Sequence, residues 1–186
     1  MKLTGNTILL TGGGSGIGRE LARRFNALGN HVIVAGRRRD SLQETIEGRP
    51  DMDAFPLDIQ DPQAIDNFAE ELLAAYPNLN VLINNAGIMR RESLTERRDL
   101  RDSEETVVTN FLGPIRLTNV LIDHLQRQAG AAIVNVTSGL AFVPLSHTPT
   151  YNATKAALHS YTVALRAQLK DKVEVIELVP PGVQTE

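Results

Sequence analysis

The stretch Thr7-Ile8-Leu9-Leu10-Thr11-Gly12-Gly13-Gly14-Ser15-Gly16-Ile17-Gly18 decides the fold. Thr7 to Leu10 is a short β-rich run, and Gly16 to Leu28 follows with Ile17, Leu21, Phe25 and Leu28 along one helical face. Between them lies a turn almost free of side chains. Glycines there let a ligand approach the backbone closely, while the helix N-terminus offers unpaired N–H groups and a dipole that favours an anion. Strand, glycine turn and helix in this order predict a pyrophosphate cradle. A triphosphate loop of the Walker kind matches poorly, because Arg19 and Glu20 stand where Lys and Ser or Thr are required.

Outward from this turn, short apolar runs alternate with segments of helical period. His31 to Ala35 is a second strand, and Asp40 is placed to cap a short helix through Ile46. Phe55 to Leu57 forms a third strand, and Asp61-Pro62 opens a helix carrying Ile65, Phe68, Leu72 and Leu73. Val81 to Ile83 is a fourth strand, followed by a charged run from Arg90 that reads as a solvated loop. A long helix is expected from about Ser103 to Gln128, a fifth strand over Ala132 to Val136, a helix over Thr150 to Leu169 and a sixth strand over Val173 to Val179. Strands apolar on both faces and separated by helices imply a parallel sheet covered on both sides. Right-handed crossovers then give a doubly wound α/β sheet ordered 3-2-1-4-5-6.

Bulk properties narrow the classes. The 186 residues suit one domain with a sizeable core, and a net charge of −3 gives no basic field for nucleic acid or an anionic membrane. With no cysteine there is no disulfide, thiolate nucleophile or cysteine-based zinc site, and the four histidines show no metal-ligand spacing. His31 and His124 read as capping or solvent-facing, His159 as packing, and His147 as the one histidine within reach of a ligand. No basic leader and no long apolar run are visible, which favours the cytoplasm and no membrane span.

Glycines 12, 16 and 18 follow the spacing GxxxGxG. Asn84-Asn85-Ala86-Gly87 follows the fourth strand, Asn110 lies in the long helix, Ser138 follows the fifth strand, and Tyr151-Asn152-Ala153-Thr154-Lys155 supplies YxxxK. In this order and over nearly the whole chain, the set resembles the short-chain dehydrogenase/reductase family. The resemblance implies a Rossmann-type fold and a hydride-transferring oxidoreductase acting on a carbonyl or secondary alcohol with a nicotinamide cofactor. It further implies a homodimer or homotetramer built on the helices that carry Asn110 and Tyr151. Two other classes compete: the epimerase/dehydratase branch, against which the short chain argues, and a nicotinamide-binding regulator without turnover, against which the intact polar set argues.

The resemblance assigns cofactor contacts to Gly12, Gly14, Ser15, Gly16, Ile17 and Gly18 in the turn, to Asp58 at the adenine edge, and to Asn85, Ala86 and Gly87 on the floor. At the tip of the second strand a carboxylate would bind a ribose 2′-hydroxyl. This chain has Gly36 there, followed by Arg37, Arg38 and Arg39. Guanidinium forks suit a 2′-phosphate, so NADP(H) is favoured over NAD(H), with Arg37 the main contact and Arg38 the second.

Tyr151 and Lys155, four apart, share one helical face. A free phenol has a pKa of about 10, and a cation some 4 Å away lowers it by on the order of three units at an effective dielectric near 20. Tyr151 is thus expected to be the proton donor and acceptor, with Lys155 lowering its pKa and meeting the nicotinamide ribose. Ser138, at the carboxyl edge of the sheet, is placed to steady the substrate oxygen; Thr137 and Ser146 rank below it. Pro114 lacks the N–H that would bond the Asn110 carbonyl, which is free to hold the relay water that the resemblance implies.

Two departures stand out. The family's Pro-Gly-x-Val-x-Thr is here Pro180-Pro181-Gly182-Val183-Gln184-Thr185, so a stiffer turn precedes Val183 and Thr185, the expected carboxamide contacts. The family pattern also continues through a substrate-covering segment and a seventh strand. The expectation is therefore one catalytic domain over residues 1–186, shortened at its C-terminus.

Overall fold

The computed structural model describes residues 1–182. Among them, six parallel strands form one sheet in the order β3-β2-β1-β4-β5-β6. They are β1 (Thr7–Thr11), β2 (His31–Gly36), β3 (Met52–Pro56), β4 (Val81–Asn84), β5 (Ala132–Val136) and β6 (Glu174–Leu178). The expected order holds, with β5 at its expected bounds and the other strands differing by one to three residues at an end.

Strand alternation builds two cores. Leu9, Ile33, Leu82 and Ile133 point to one face, where α3 (Pro62–Ala75), α5 (Gly113–Leu125) and α6 (Pro149–Gln168) bring Leu72, Leu117, Leu121 and Leu169. Ile8, Leu10, Val32, Val34 and Ile83 point the other way, under α1 (Gly16–Ala27) and α2 (Arg39–Ile46), which bring Ala22 and Leu42. Burying each such large side chain contributes about 1.5–3 kcal/mol, so both faces need their helical cover. This explains why the strands show no polar face.

Two details differ from expectation. Asp40 lies inside the first turn of α2, whose N-cap is Arg38. Asp61 does cap α3, its Oδ1 accepting from Gln63 N (2.9 Å) and Ala64 N (3.3 Å). The long helix is not continuous in kind. It comprises α4 (Arg101–Val107), a π-helical turn over Val108–Leu112 and α5, which Pro114 enters within its first turn. Pro114 has no N–H to bond the carbonyl four residues back, and the backbone widens by one residue just before it.

His31 and His124 have structural partners. His31 Nε2 lies 2.7 Å from Asp53 Oδ2, and His124 Nε2 donates to the Leu79 carbonyl (2.9 Å). No helix among the described residues is long and apolar enough to cross a membrane.

Candidate active site

All six strands end toward one side, and the loops leaving β1, β2, β4 and β5 surround a cleft of about 600 Å³. Such a crevice at the carboxyl edge, where the strand order reverses between β1 and β4, is where doubly wound sheets bind ligands. The glycine turn forms one wall. Gly12 has φ +70°, and a Cβ on it would lie 2.8 Å from Ala86 Cα; a Cβ on Gly18 would lie 2.2 Å from the Gly12 carbonyl oxygen. Both glycines are dictated by backbone contact. The N-cap residue of α1, Ser15, is extended and makes no side-chain capping bond, and no acidic residue sits in the first turn. The opening N–H groups of α1 thus face the cleft free to bind an anion.

Thr11 joins this turn to the loop after β4. Its Oγ1 accepts from the N–H groups of Asn85 and Ala86 (both 3.1 Å), while Asn85 Nδ2 donates to the Thr11 carbonyl (2.9 Å). Asn85 is therefore occupied in holding the floor together. Asn84 is buried in a polar ladder, donating to Asn135 Oδ1 (2.9 Å), which continues through Asn135 Nδ2 to Thr162 Oγ1 (2.9 Å).

Most of the expected set converges. Gly12, Ser15, Gly16, Ile17 and Gly18 line the cleft from one side, Arg37 and Arg38 from the adjacent end, and Asn85, Ala86 and Gly87 from beneath. Ser138, Tyr151 and Lys155 line it from the β5 and α6 side. Three residues do not join, one of them Asn110, which is fully buried behind the lining. Gly14 faces α2, where a Cβ would meet Ser41 Cβ at 3.1 Å. Asp58 is exposed and accepts from Gln60 N (3.0 Å), because β3 ends at Pro56 and it is Leu57 and Ile59 that reach the cleft. His147 is exposed and does not line the cleft. Val183 and Thr185 lie outside the described residues.

Around Tyr151 the groups interlock. A Cβ on Gly87 would lie 3.4 Å from Asn110 Oδ1 and 3.5 Å from Lys155 Nζ, in ordinary contact, so Gly87 sits beside both polar groups. Asn110 is fully buried, and its side chain rather than its carbonyl makes the visible contacts. It accepts from Ile88 N (2.8 Å) and donates to the Ile88 carbonyl (2.8 Å) and Thr154 Oγ1 (3.2 Å). Ser138 Oγ accepts from Leu140 N (3.1 Å), which fixes its rotamer at the end of β5. Thr137 is turned to Glu177, donating at 2.7 Å.

The electrostatics correct one expectation. Lys155 Nζ donates to the Val136 carbonyl (2.8 Å) and sits 5.7 Å from the Tyr151 ring centroid. Burial pushes its pKa down to about 8. Burial also pushes the Tyr151 phenol up from its ordinary value, with the Ser138 hydroxyl pulling in the opposite direction. Desolvation of the phenol sets the upward direction of its shift, where a lowered value is expected from the amine alone, and the ammonium donates to the Val136 carbonyl. Tyr151 is accordingly a protonated phenol at neutral pH.

Glu92, inside the charged run read as a solvated loop, carries a side chain only 2% exposed. It accepts from Arg98 (2.6 Å), Ser103 (2.9 Å) and both the N–H and hydroxyl of Thr150 (3.0 and 2.7 Å). Burial works against its charge, but the bonds from Thr150 and Ser103 and the Arg98 guanidinium together hold its carboxyl below the ordinary value. No local pattern marks this residue, because its main partner is 58 positions away.

A family model described as short chain dehydrogenase matches residues 6–186. An uncharacterised oxidoreductase, DltE, from Bacillus subtilis is 46% identical over the whole chain and 74% of its own length. Further curated relatives are covered over between 53% and 73% of their lengths. Among solved structures, a 3-ketoacyl-(acyl-carrier-protein) reductase from Brucella melitensis complexed with NADH superposes with a TM-score of 0.92 at 30% identity, over 99% of this chain and 78% of its own. L-sorbose reductase from Gluconobacter frateurii, complexed with NADPH and L-sorbose, gives 0.91 at 28% identity, over 100% and 72%.

Proposed function

The chain belongs to the short-chain dehydrogenase family, and from that membership we propose an oxidoreductase that reduces a carbonyl, or oxidises the matching secondary alcohol, with Tyr151 moving the proton. The observation that carries this reading is the meeting of Ser138, Tyr151 and Lys155 with the glycine turn in one cleft. The residues fit a dinucleotide: a side-chain-free turn, free N–H groups at a helix start, and two guanidinium groups at the far end. When bound, the nicotinamide supplies or accepts the hydride.

The protein's own residues do the rest. The N–H groups at the start of α1 would hold the pyrophosphate, and Lys155 would meet the nicotinamide ribose. Ser138 donates to the substrate oxygen as negative charge develops there. Tyr151, kept protonated by burial, gives its proton to that oxygen, and the reverse step returns it. Asn110 holds the loop through Ile88 against α6 and so keeps the floor under the reacting atoms.

Arg37 and Arg38 are exposed, line the cleft and favour NADP(H); Arg38 also reaches Ser15 Oγ (3.4 Å). Replacing both by Ser is expected to raise the Kd for NADPH by about 10–100-fold, the loss of a charge-assisted bond or two, with NADH changed by less than about threefold. Fluorescence titration of both cofactors checks this; equal loss for both would remove the phosphate assignment. Screening a carbonyl panel with each reduced cofactor tests the wider reading, which fails if neither nucleotide binds.

A homo-oligomer through the outer faces of α4 and α6 is supported by the apolar groove there, lined by Leu94, Val107, Phe111 and Ala157. A cytoplasmic location is supported by the cysteine-free sequence.

A further inference from the structure

We propose that Glu92 is a positioning residue: its carboxylate caps helix α6 from outside the helix and thereby fixes where Tyr151 presents its hydroxyl. This rests on the reading of Tyr151 as the proton-moving group.

Helix α6 is preceded by its N-cap residue Thr148, whose side chain makes no capping bond to the helix start and bonds Asn152 Oδ1 instead (3.1 Å). Pro149 has no N–H to satisfy. The first exposed donor of the helix is therefore Thr150 N, next to Tyr151, and Glu92 Oε1 takes it at 3.0 Å. Glu92 Oε2 takes the Thr150 hydroxyl at 2.7 Å. A carboxylate at this end also meets the positive pole of the helix.

The cap is itself held rigidly. Arg98 and Ser103 bond Oε2 from the far side, Arg98 is anchored in turn to Asp102 (2.7 Å), and Glu92 N donates to the His147 carbonyl (3.0 Å). A buried carboxylate with this many charge-assisted bonds is costly to assemble and is not needed to stabilise a solvent loop. Its geometry explains the investment. Four residues on, Thr154 is held by Asn110 and donates to the Tyr151 carbonyl (2.8 Å). Tyr151 thus lies between two clamps, Glu92 on Thr150 and Asn110 on Thr154. Both clamps are rooted in one stretch, since Asn110 bonds Ile88 N and O while Glu92 follows four residues later. That stretch also brings Ile88 and Met89 into the cleft, so floor and phenol move as one body.

The test reads residue-resolved amide hydrogen exchange on the cofactor-free protein by NMR, for wild type, Glu92→Ala, Glu92→Gln and Thr150→Val. Kcat and KM are measured in parallel with NADPH and a carbonyl substrate. In Glu92→Ala the amides from Thr150 to Thr154 should exchange at least about tenfold faster, as expected for losing bonds to a charged acceptor, while those around Leu117 and Leu121 change by less than about twofold. Kcat should fall by about 10–50-fold and KM by less than about threefold, because misplacement rather than binding is at fault. Glu92→Gln, which keeps one acceptor oxygen, and Thr150→Val, which keeps the N–H bond, should fall between wild type and Glu92→Ala on both readouts. Unchanged exchange over 150–154, a uniform rise across the chain, or a kcat within about twofold of wild type despite local opening would each overturn the proposal. If Tyr151→Phe proves as active as wild type, the reading of Tyr151 falls instead, and the exchange result still decides whether Glu92 is the cap.

Discussion

Tyr151→Phe should lower kcat by about a thousandfold, within the range expected for losing a general acid, while cofactor affinity stays within about threefold. The substitution deletes one oxygen and leaves the ring, which is partly buried in the cleft wall. The direction follows from electrostatics: burial raises the phenol's pKa, so at neutral pH the proton is present and aimed at the cleft. No neighbour can substitute. Ser138 Oγ accepts from Leu140 N and keeps its O–H for the substrate oxygen, but an alcohol is a far weaker acid than a phenol; Thr137 is turned to Glu177, and Lys155 Nζ donates to the Val136 carbonyl. Steady-state kinetics with cofactor titration decide it, and a variant as active as wild type would remove Tyr151 from the role.

Lys155→Met should separate activity from stability. Activity should drop by about a hundredfold or more, since the ammonium that orients the site and offsets developing charge is gone. Stability of the cofactor-free protein at pH 7 should rise by on the order of 2 kcal/mol. Lys155 is 4% exposed and burial brings its pKa from 10.5 to about 8. The folded value lies below the unfolded one, so the unfolded chain holds the proton more tightly. Stability therefore falls as pH drops from about 10.5 through about 8, and the whole cost is carried at neutral pH. Methionine keeps the stem's bulk without the charge, and the gain is smaller than the full electrostatic cost because the Val136 carbonyl loses its donor. Urea denaturation at pH 7 and pH 10 checks the sign. The variant should lead at pH 7 and the two should converge at pH 10; a variant less stable than wild type at pH 7 would show that packing outweighs desolvation.

The layered sheet was legible because its signals are local and repetitive. Ile8, Leu9 and Leu10 must all be buried, which only a strand covered on both faces allows, and the intervening helical periods leave few ways to connect such strands. The gathering of Ser138, Tyr151 and Lys155 in one cleft was legible for a similar reason, since Tyr151 and Lys155 are one helical turn apart and Ser138 closes a strand. What escaped depends on register or on distance. Asp58 was placed at the cleft on a strand thought to run through Leu57; the strand stops at Pro56, and Leu57 and Ile59 take the cleft positions. Gly14 shares the motif's spacing with the ligand-facing glycines but packs closely against Ser41 of α2. A lowered phenol follows from counting the nearby amine alone; desolvation of Tyr151, which residue spacing does not reveal, sets the upward direction in the cofactor-free protein. Glu92 was invisible because nothing near it in the chain announces Thr150.

The π-helical turn over Val108–Leu112 has a further consequence for how this molecule tolerates change. Each residue of an α-helix advances the side-chain direction by about 100°, so one residue accommodated in a wider loop of backbone offsets everything downstream by that angle. Within the widened turn, Asn110 aims at Ile88; beyond it, Leu117, Leu121 and Leu125 aim at the apolar interior. The widened turn works as a clutch between two gear trains. Repacking of the oily half leaves the polar half at its setting, whereas deleting a single residue here would engage the two and swing the asparagine out of mesh.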